Sequence, residues 1–330
     1  MKKTVAFARD TANVFFHILT QCNLQCRHCY INPRQHGSGR LPLDTIQRWL
    51  ALFAERAPRA NLVLLGGEPT LHPDLPAIVR AARSNDYASV TIDSNGYLFH
   101  DILNRVSPKE VDYFSFSLDG ATAPVNDEIR GTGSYDACVR GIQQAVSAGF
   151  NTSLIYTVSR ANLEELPQME DLLLQLGIQR FFIQVIGIRG KSAETGAATL
   201  QVSPSDWLRV VPAVAEKIAR RGLTVTYPKV FLKPEAAFEC AGKVAENYFI
   251  FPNGRVYRCP LCEDFPMHSL KIENDRLVER PPINERNLFQ LDIPEGCVMN
   301  KLIQPDNITY CDDGTPQHRI ACCLLKEEIS

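Results

Sequence analysis

The chain has 330 residues, with 35 Lys or Arg against 37 Asp or Glu, a formal charge of −2. At roughly 150 residues per domain this suits about two domains, or one large barrel with an appendage. The charge balance removes the electrostatic reason to expect nucleic acid or an anionic membrane as partner, and no apolar run approaches the ~18 residues of a membrane span.

In chain order, the first stretch begins with two lysines. Its apolar part is interrupted by Arg9, Asp10 and Asn13, so export is not expected and the protein reads as cytoplasmic. Residues 14–186 then alternate between two periods. Apolar, β-rich runs occur at Val14–Leu19, Leu62–Leu65, Val90–Ile92, Tyr113–Leu118, Thr152–Val158 and Phe181–Ile186. Amphipathic stretches at Leu43–Ala57, Asp74–Ser84, Ser134–Ala148 and Leu163–Leu176 separate most of them, with apolar residues at helical spacing. The connection around His100–Val106 is shorter. Strand–helix alternation implies a parallel sheet with right-handed crossovers. Six strands are too few for a full eight-stranded barrel, so the expected fold class is α/β, a partial (β/α)6 TIM-like barrel.

A Gly/Ala/Ser-rich segment at Gly187–Thr199 breaks the alternation. A helix is predicted from Ser203 or Pro204 to Arg221, with Ser203 as N-cap, and a strand near Leu223–Tyr227. The expected domains are 1–200, the barrel, and 201–330, a small cysteine-rich extension. Within the second, Tyr248–Cys259 reads as a hairpin, because two β-rich arms flank Asn253-Gly254.

Cysteine carries the strongest signal. Of 11 residues, three lie at 22–29, one is Cys138, and seven lie at 240–323. An odd count in a long chain without an export signal points to metal rather than to a disulfide framework. Cys22-Asn-Leu-Gln-Cys26-Arg-His-Cys29 directly follows the first strand. Three thiolates on one short loop can bind three irons of a [4Fe–4S] cube and leave the fourth open. Strand C-terminal ends are where barrels of this kind build active sites. A zinc site using His28 or His17, or three buried thiols, is the alternative. Cys138, inside a predicted helix, reads as a buried inert thiol.

This loop resembles the signature of the radical S-adenosylmethionine (SAM) superfamily. The resemblance implies that the open iron is chelated by SAM, that an electron from the cluster cleaves SAM to a 5′-deoxyadenosyl radical, and that the radical takes a substrate hydrogen. Other segments follow in the family's order. Gly66-Gly67-Glu68-Pro69-Thr70, after the second strand, resembles the motif that binds SAM's amino group. Its glycines permit close backbone approach, and the Glu68 carboxylate suits an ammonium. Ser94-Asn95-Gly96 and Ser117-Leu118-Asp119-Gly120 end the third and fourth strands. Ser94 and Ser117 can bond SAM's carboxylate or ribose, or serve as turn residues. Arg130 resembles the family's arginine for SAM's carboxylate, with a surface ion pair as the competing role. His28 stands where an aromatic residue is usual, as SAM contact or as loop hydrogen-bonder.

Cys240, 13 residues, Gly254, four residues and Cys259 resemble the opening of the SPASM and twitch extensions of this superfamily. The remainder departs from a full SPASM pattern. Cys259-Pro-Leu-Cys262 is followed by wide gaps and then by adjacent Cys322-Cys323, which point oppositely on an extended chain. At least one auxiliary [4Fe–4S] cluster is expected, on Cys240 and Cys259 with others from Cys262, Cys311, Cys322 and Cys323. A zinc ribbon is the rival.

The leading functional expectation is oxidation, crosslinking or epimerisation of a peptide or protein side chain. The alternatives are a dehydrogenase or epimerase of a small molecule, such as an aminoglycoside or sugar nucleotide, and a non-catalytic iron–sulfur electron carrier. An electron donor such as flavodoxin or ferredoxin is implied. With 13 residues before the first strand, no separate leader-peptide-binding domain is expected there. Tyr156, Gln184, Arg189, Tyr310 and His318 are further polar or aromatic candidates on strand ends or loops.

Overall fold

The computed structural model describes residues 11–194, 200–321, 323–324 and 326–330; Cys322 lies outside them. Strands β1 (Ala12–Leu19), β2 (Asn61–Gly66), β3 (Ser89–Ser94), β4 (Tyr113–Ser117), β5 (Thr152–Val158) and β6 (Arg180–Val185) pair in that order, all parallel. The helices between and after them are α1 (Leu43–Arg56), α2 (Leu75–Ser84), a single turn at Ile102–Arg105, α3 (Ala123–Arg130), α4 (Ser134–Ser147), α5 (Met169–Gln175) and α6 (Pro204–Ala219). This is the partial (β/α)6 barrel expected from the alternation.

One face of each strand builds the core under the helices. Val14, Phe16 and Ile18, then Leu62 and Leu64, Phe114 and Phe116, and Phe181 and Ile183 are fully buried with Ile46, Phe53, Ile78 and Ile142 from the helices. These strand positions repeat with period two, as the pleat requires. α6 starts where the cap predicts, with Asp206 N donating to Ser203 Oγ at 3.1 Å. α3 was not anticipated, because its buried face carries Asn126 and Arg130 beside Ile129 and so shows no apolar stripe.

The sheet continues at both ends. β7 (Thr224–Pro228) adds parallel to β6, and the C-terminal β12 (Lys326–Ile329) pairs antiparallel with β7. At the opposite edge β8 (Glu246–Ile250) lies parallel to β1, followed by β9 (Arg255–Tyr257), β10 (Leu270–Glu273) and β11 (Arg276–Glu279) in antiparallel order. β8 and β9 are the arms of the Asn253-Gly254 hairpin, with Gly254 at φ 80°. One twelve-stranded sheet therefore runs across position 200. A row of buried polar side chains ties the junction: Asn13 Nδ2 donates to Asn247 Oδ1 (2.8 Å), Asn61 Nδ2 to Asn13 Oδ1 (3.1 Å) and Ser89 Oγ to Asn61 Oδ1 (2.9 Å). The cysteine-rich end keeps a second, smaller core around Phe249, Phe251, Tyr257, Phe289 and Met299. Among the described residues no helix is long and apolar enough to cross a membrane.

α4 meets the end of β3 backbone to backbone. A Cβ on Gly141 would stand 2.2 Å from Gly96 O, and one on Gly96 2.5 Å from Cys138 Cα. In an open helix Gly→Ala gains about 0.5–1 kcal/mol. Here the added methyl has to push α4 off β3, so Gly141→Ala is expected to destabilise by about 1–3 kcal/mol, the usual cost of overpacking. Urea denaturation of the two proteins measures the sign; a gain in stability would contradict the packing.

Candidate functional site

The loop with Cys22, Cys26 and Cys29 leaves β1 and is pinned from four sides. Gly67 N donates to Leu19 O (3.1 Å) and Glu68 N to Gln21 O (2.9 Å) from the end of β2. Arg27 N donates to Ile129 O (2.8 Å) at the end of α3, and Lys191 N to Cys29 O (2.9 Å) from the segment after β6. From the turn after β3, Asn95 Nδ2 donates to Asn23 Oδ1 (2.8 Å) and approaches Cys22 Sγ (3.8 Å). A Cβ on Gly66 or Gly67 would stand 2.2 Å from Leu19 O or 2.1 Å from Gln21 O. The close approach these glycines permit is thus that of the cysteine loop itself. Burial pushes the Cys22 thiol up to about 11, and the neighbouring Cys26 and Cys29 add to the effect. Cys22, Cys26 and Cys29 share one short loop at the barrel mouth and have the donor chemistry for an iron–sulfur cube that leaves one iron for another ligand, although among the described residues no three His, Cys, Asp or Glu side chains stand together as a metal-holding group.

Glu68, the residue matched to SAM's ammonium, is fully buried and already engaged. Oε1 accepts from Thr70 N (3.0 Å), Thr70 Oγ1 (2.6 Å) and Ser94 Oγ (3.0 Å); Oε2 accepts from Asn95 N (2.7 Å). These bonds occupy most of a carboxylate's acceptor capacity. In this state Glu68 locks Pro69-Thr70 to the β3 end, and Ser94 belongs to the same lock, its Oγ also accepting from Gly96 N (3.1 Å). Ser117 lies half-buried at the end of β4, its carbonyl accepting from Cys138 Sγ (3.6 Å). Burial pushes the Cys138 thiol up to about 12, as suits an inert packing residue.

The residue whose role the sequence did not disclose is Asp119. It is fully buried, with Oδ2 2.6 Å from Arg130 Nε and 3.1 Å from His28 Nε2, while Oδ1 accepts from Thr157 N (2.7 Å). Burial alone would raise its carboxyl; Arg130 and His28 outweigh that and hold it at about 2. Arg130 is thus a buried partner of Asp119 rather than a surface ion pair. His28 is held by one nitrogen, and its Nδ1 is buried without a hydrogen-bond partner among the described residues. His17 cannot readily join a metal, since its ring nitrogens meet Ile250 O (2.9 Å) and Tyr30 Oη (2.8 Å).

At the other end, Cys240, Cys259, Cys297 and Cys323 line one apolar pocket with Phe238, Phe289 and Met299. Cys262 lies buried beside it, hydrogen-bonded to Cys259 and close to Cys297 and Cys240. Cys311 is exposed on a tight turn, with Gly314 N donating to its carbonyl (3.0 Å), and is not part of the pocket. Cys297 was missed because no motif singles it out among the C-terminal cysteines; folding alone brings it to the pocket. Glu285, also missed, braces the pocket: its carboxylate accepts from Arg258 N (2.9 Å), Cys259 N (3.1 Å), Ser269 N (3.0 Å) and Ser269 Oγ (2.7 Å). Among the other candidates, Tyr156 lies in the helix-side core with its hydroxyl on Asn162 O (2.6 Å). Tyr310 is exposed and bonded to Glu295 (2.7 Å), His318 packs on Phe231, and Gln184 is half-buried on β6.

A partial barrel with three thiols at its mouth defines a class of iron–sulfur enzyme. Residues 17–173, just under half of the chain, match the family model of the Radical SAM superfamily. It is similar to the mycofactocin maturase MftC of Mycobacterium tuberculosis (30% identity over 203 residues, 57% of this chain and 49% of the maturase). It is also similar to Fe-coproporphyrin III synthase of Methanosarcina barkeri (31% over 204 residues, 60% and 50%). The chain spans about half the length of these two curated relatives. In fold it resembles Streptococcus suis SuiB bound to precursor peptide SuiA (TM-score 0.70, 15% identity, 88% of this chain and 73% of that one). It likewise resembles native anSMEcpe with bound AdoMet (TM-score 0.65, 12%, 96% and 94%).

Asp119→Asn removes one partner of a buried ion pair and leaves Arg130 uncompensated. A loss of about 3–5 kcal/mol is expected, read by denaturant unfolding of the purified protein. Because the folded carboxyl titrates at about 2, below its unfolded value of roughly 3.9, its contribution is complete above the unfolded value. It is lost as the pH falls towards the folded one. The gap between wild type and variant should therefore close in acid; a gap independent of pH would show that Asp119 acts by shape alone.

Proposed function

We propose that the protein reductively cleaves SAM at a [4Fe–4S] cluster held by Cys22, Cys26 and Cys29 and modifies a side chain of a peptide or protein substrate. The observation that carries this reading is the pinning of the three-thiol loop between the ends of β1, β2 and β3 and beside Asp119, Arg130 and His28. When bound, cluster and SAM together supply a 5′-deoxyadenosyl radical for hydrogen abstraction. Gly66, Gly67 and Pro69 shape the floor beside the loop. Glu68 and Ser94 hold the two strand ends in register. His28, Ser117 and the guanidinium donors of Arg130 not used by Asp119 are the side-chain contacts offered to SAM. An electron donor of the flavodoxin or ferredoxin kind would supply the reducing electron.

An auxiliary [4Fe–4S] cluster belongs to the same reading. Cys240, Cys259, Cys297 and Cys323 are its proposed ligands, four thiols facing one apolar pocket, with Cys262 behind them. Relative to the set the spacing suggested, this one adds Cys297 and leaves out Cys262 and Cys311, while Cys322 lies outside the described residues. The similarity to a maturase favours a peptide substrate, and the similarity to Fe-coproporphyrin III synthase keeps a small molecule as the second reading.

Anaerobic reconstitution followed by incubation with SAM and dithionite tests the proposal. Wild-type protein is expected to release 5′-deoxyadenosine, and replacing Cys22, Cys26 and Cys29 together by Ala should abolish it; an unchanged yield overturns the assignment. That triple variant is expected to retain about four irons per chain, the content of one cube, and to lose them when Cys259 and Cys297 are also replaced. Zinc without sulfide in the triple variant would replace the auxiliary cluster by a zinc ribbon.

A further inference from the structure

Between the two cysteine sites lies a half-buried arginine, its side chain 19% exposed, that the proposed cleavage does not use. Arg189 follows β6. Its guanidinium lies 4.6 Å from the centre of the Tyr30 ring, and Tyr30 directly follows Cys29. Nη1 donates to Pro260 O at 2.7 Å and to the Glu263 carboxylate, on the turn that carries Cys259 and Cys262. The backbone beside it repeats the connection. Gly190 N donates to Asp264 Oδ2 (2.7 Å), Lys191 N to Cys29 O (2.9 Å), and Asn32 Nδ2 to Asp264 Oδ1 (3.1 Å). Gly190 has φ +57°, and a Cβ there would stand 2.5 Å from Cys29 O. Below, the Phe251 ring is stacked between His17 (4.0 Å) and His36 (3.8 Å), and His17 Nε2 meets Tyr30 Oη.

We propose that Arg189 is a positioning residue that latches the Cys22–Cys29 loop to the C-terminal cysteine pocket and places a permanently charged guanidinium, the counter-charge of Glu263, between the two iron–sulfur sites. The charge part rests on the function proposed above; the latch does not. An arginine stays protonated in a protein, and its fork can satisfy Pro260 and Glu263 while its plane covers Tyr30, which a lysine cannot do at once. Burial opposes its charge, but Glu263, Tyr30, Cys323 and Asp264 outweigh burial and raise its pKa. Removing the guanidinium leaves the Glu263 carboxylate without its cation beside the pocket, and that loss of positive charge disfavours the more negative, reduced state of a nearby cluster.

Two variants separate charge from latch. In the Cys22, Cys26, Cys29→Ala background, the auxiliary cluster is titrated with dithionite and followed by electron paramagnetic resonance. Arg189→Gln is expected to make it at least tenfold harder to reduce, a midpoint lower by about 59 mV for one electron. Arg189→Lys is expected to stay near the unsubstituted value. A cluster of full iron content with an unshifted midpoint in Arg189→Gln overturns the charge. Hydrogen exchange of the protein before reconstitution reads the latch without any cluster. Amides of residues 26–32 are expected to exchange at least tenfold faster in Arg189→Lys than in wild type, with the sheet unchanged; wild-type exchange there overturns the latch. A wild type that holds no iron would refute the proposed function while leaving the exchange result to stand.

Discussion

The site depends on one close contact between backbones. Leu19–Gln21, where β1 becomes the cysteine loop, is pressed against Gly66 and Gly67 so tightly that no side chain can intervene. The two hydrogen bonds from Gly67 and Glu68 then fix the start of the loop to the end of β2. Each later contact, from Asn95, from Arg27 and from Lys191, acts on a loop whose origin is already set. A side chain at either glycine would therefore push the start of the loop away from the end of β2.

Around this contact the protein uses buried carboxylates as pins. Glu68 gathers donors from two strand ends, Asp119 joins α3, β5 and the cysteine loop, and Glu285 gathers the backbone of Arg258, Cys259 and Ser269. A buried charge left unpaired is costly, and each of these is paired or saturated by several donors. The chemistry that lets a carboxylate recognise a ligand here serves first to hold loops in place. Moving a cysteine-bearing segment would strip such a group of its partners.

The barrel was legible because its signal is apolar and periodic. The six strand cores lie where the period-two runs put them, and α1, α2, α4 and α6 follow their amphipathic stripes. α3 escaped because its inward face is polar, and the parallel pairing of β8 with β1 escaped because a hairpin arm says nothing about its second neighbour. At the site, the sequence put Cys22, Cys26 and Cys29 on one loop after the first strand, where the structure has them, whereas the partners of Glu68, Arg130 and Asp119 were not legible. A carboxylate matched to a ligand and one that locks a turn have the same sequence; only the positions of Thr70, Ser94 and Asn95 distinguish them. Cys297 and Glu285 carry no local pattern, because tertiary folding alone brings them to the pocket.

β8 explains why the two cysteine regions form one object. Its register with β1 pairs Asn13 with Asn247, Phe15 with Phe249 and Phe16 with Ile250, and it is held by the Asn13–Asn247 bond and by Phe15 stacked on Phe249 at 4.6 Å. β1 runs straight into the first cysteine loop, and β8 lies between Cys240 and Cys259 in sequence. A slip of one residue would turn the buried Asn247 away from its ladder and Tyr248 away from the core, so the register is strongly specified. Fixing it fixes the offset between the two groups of thiols. Arg189, Tyr30 and the His17–Phe251–His36 stack then close the space between them at the other end of the same strand pair. The separation of the two sites is therefore a property of the sheet, and the loops refine it.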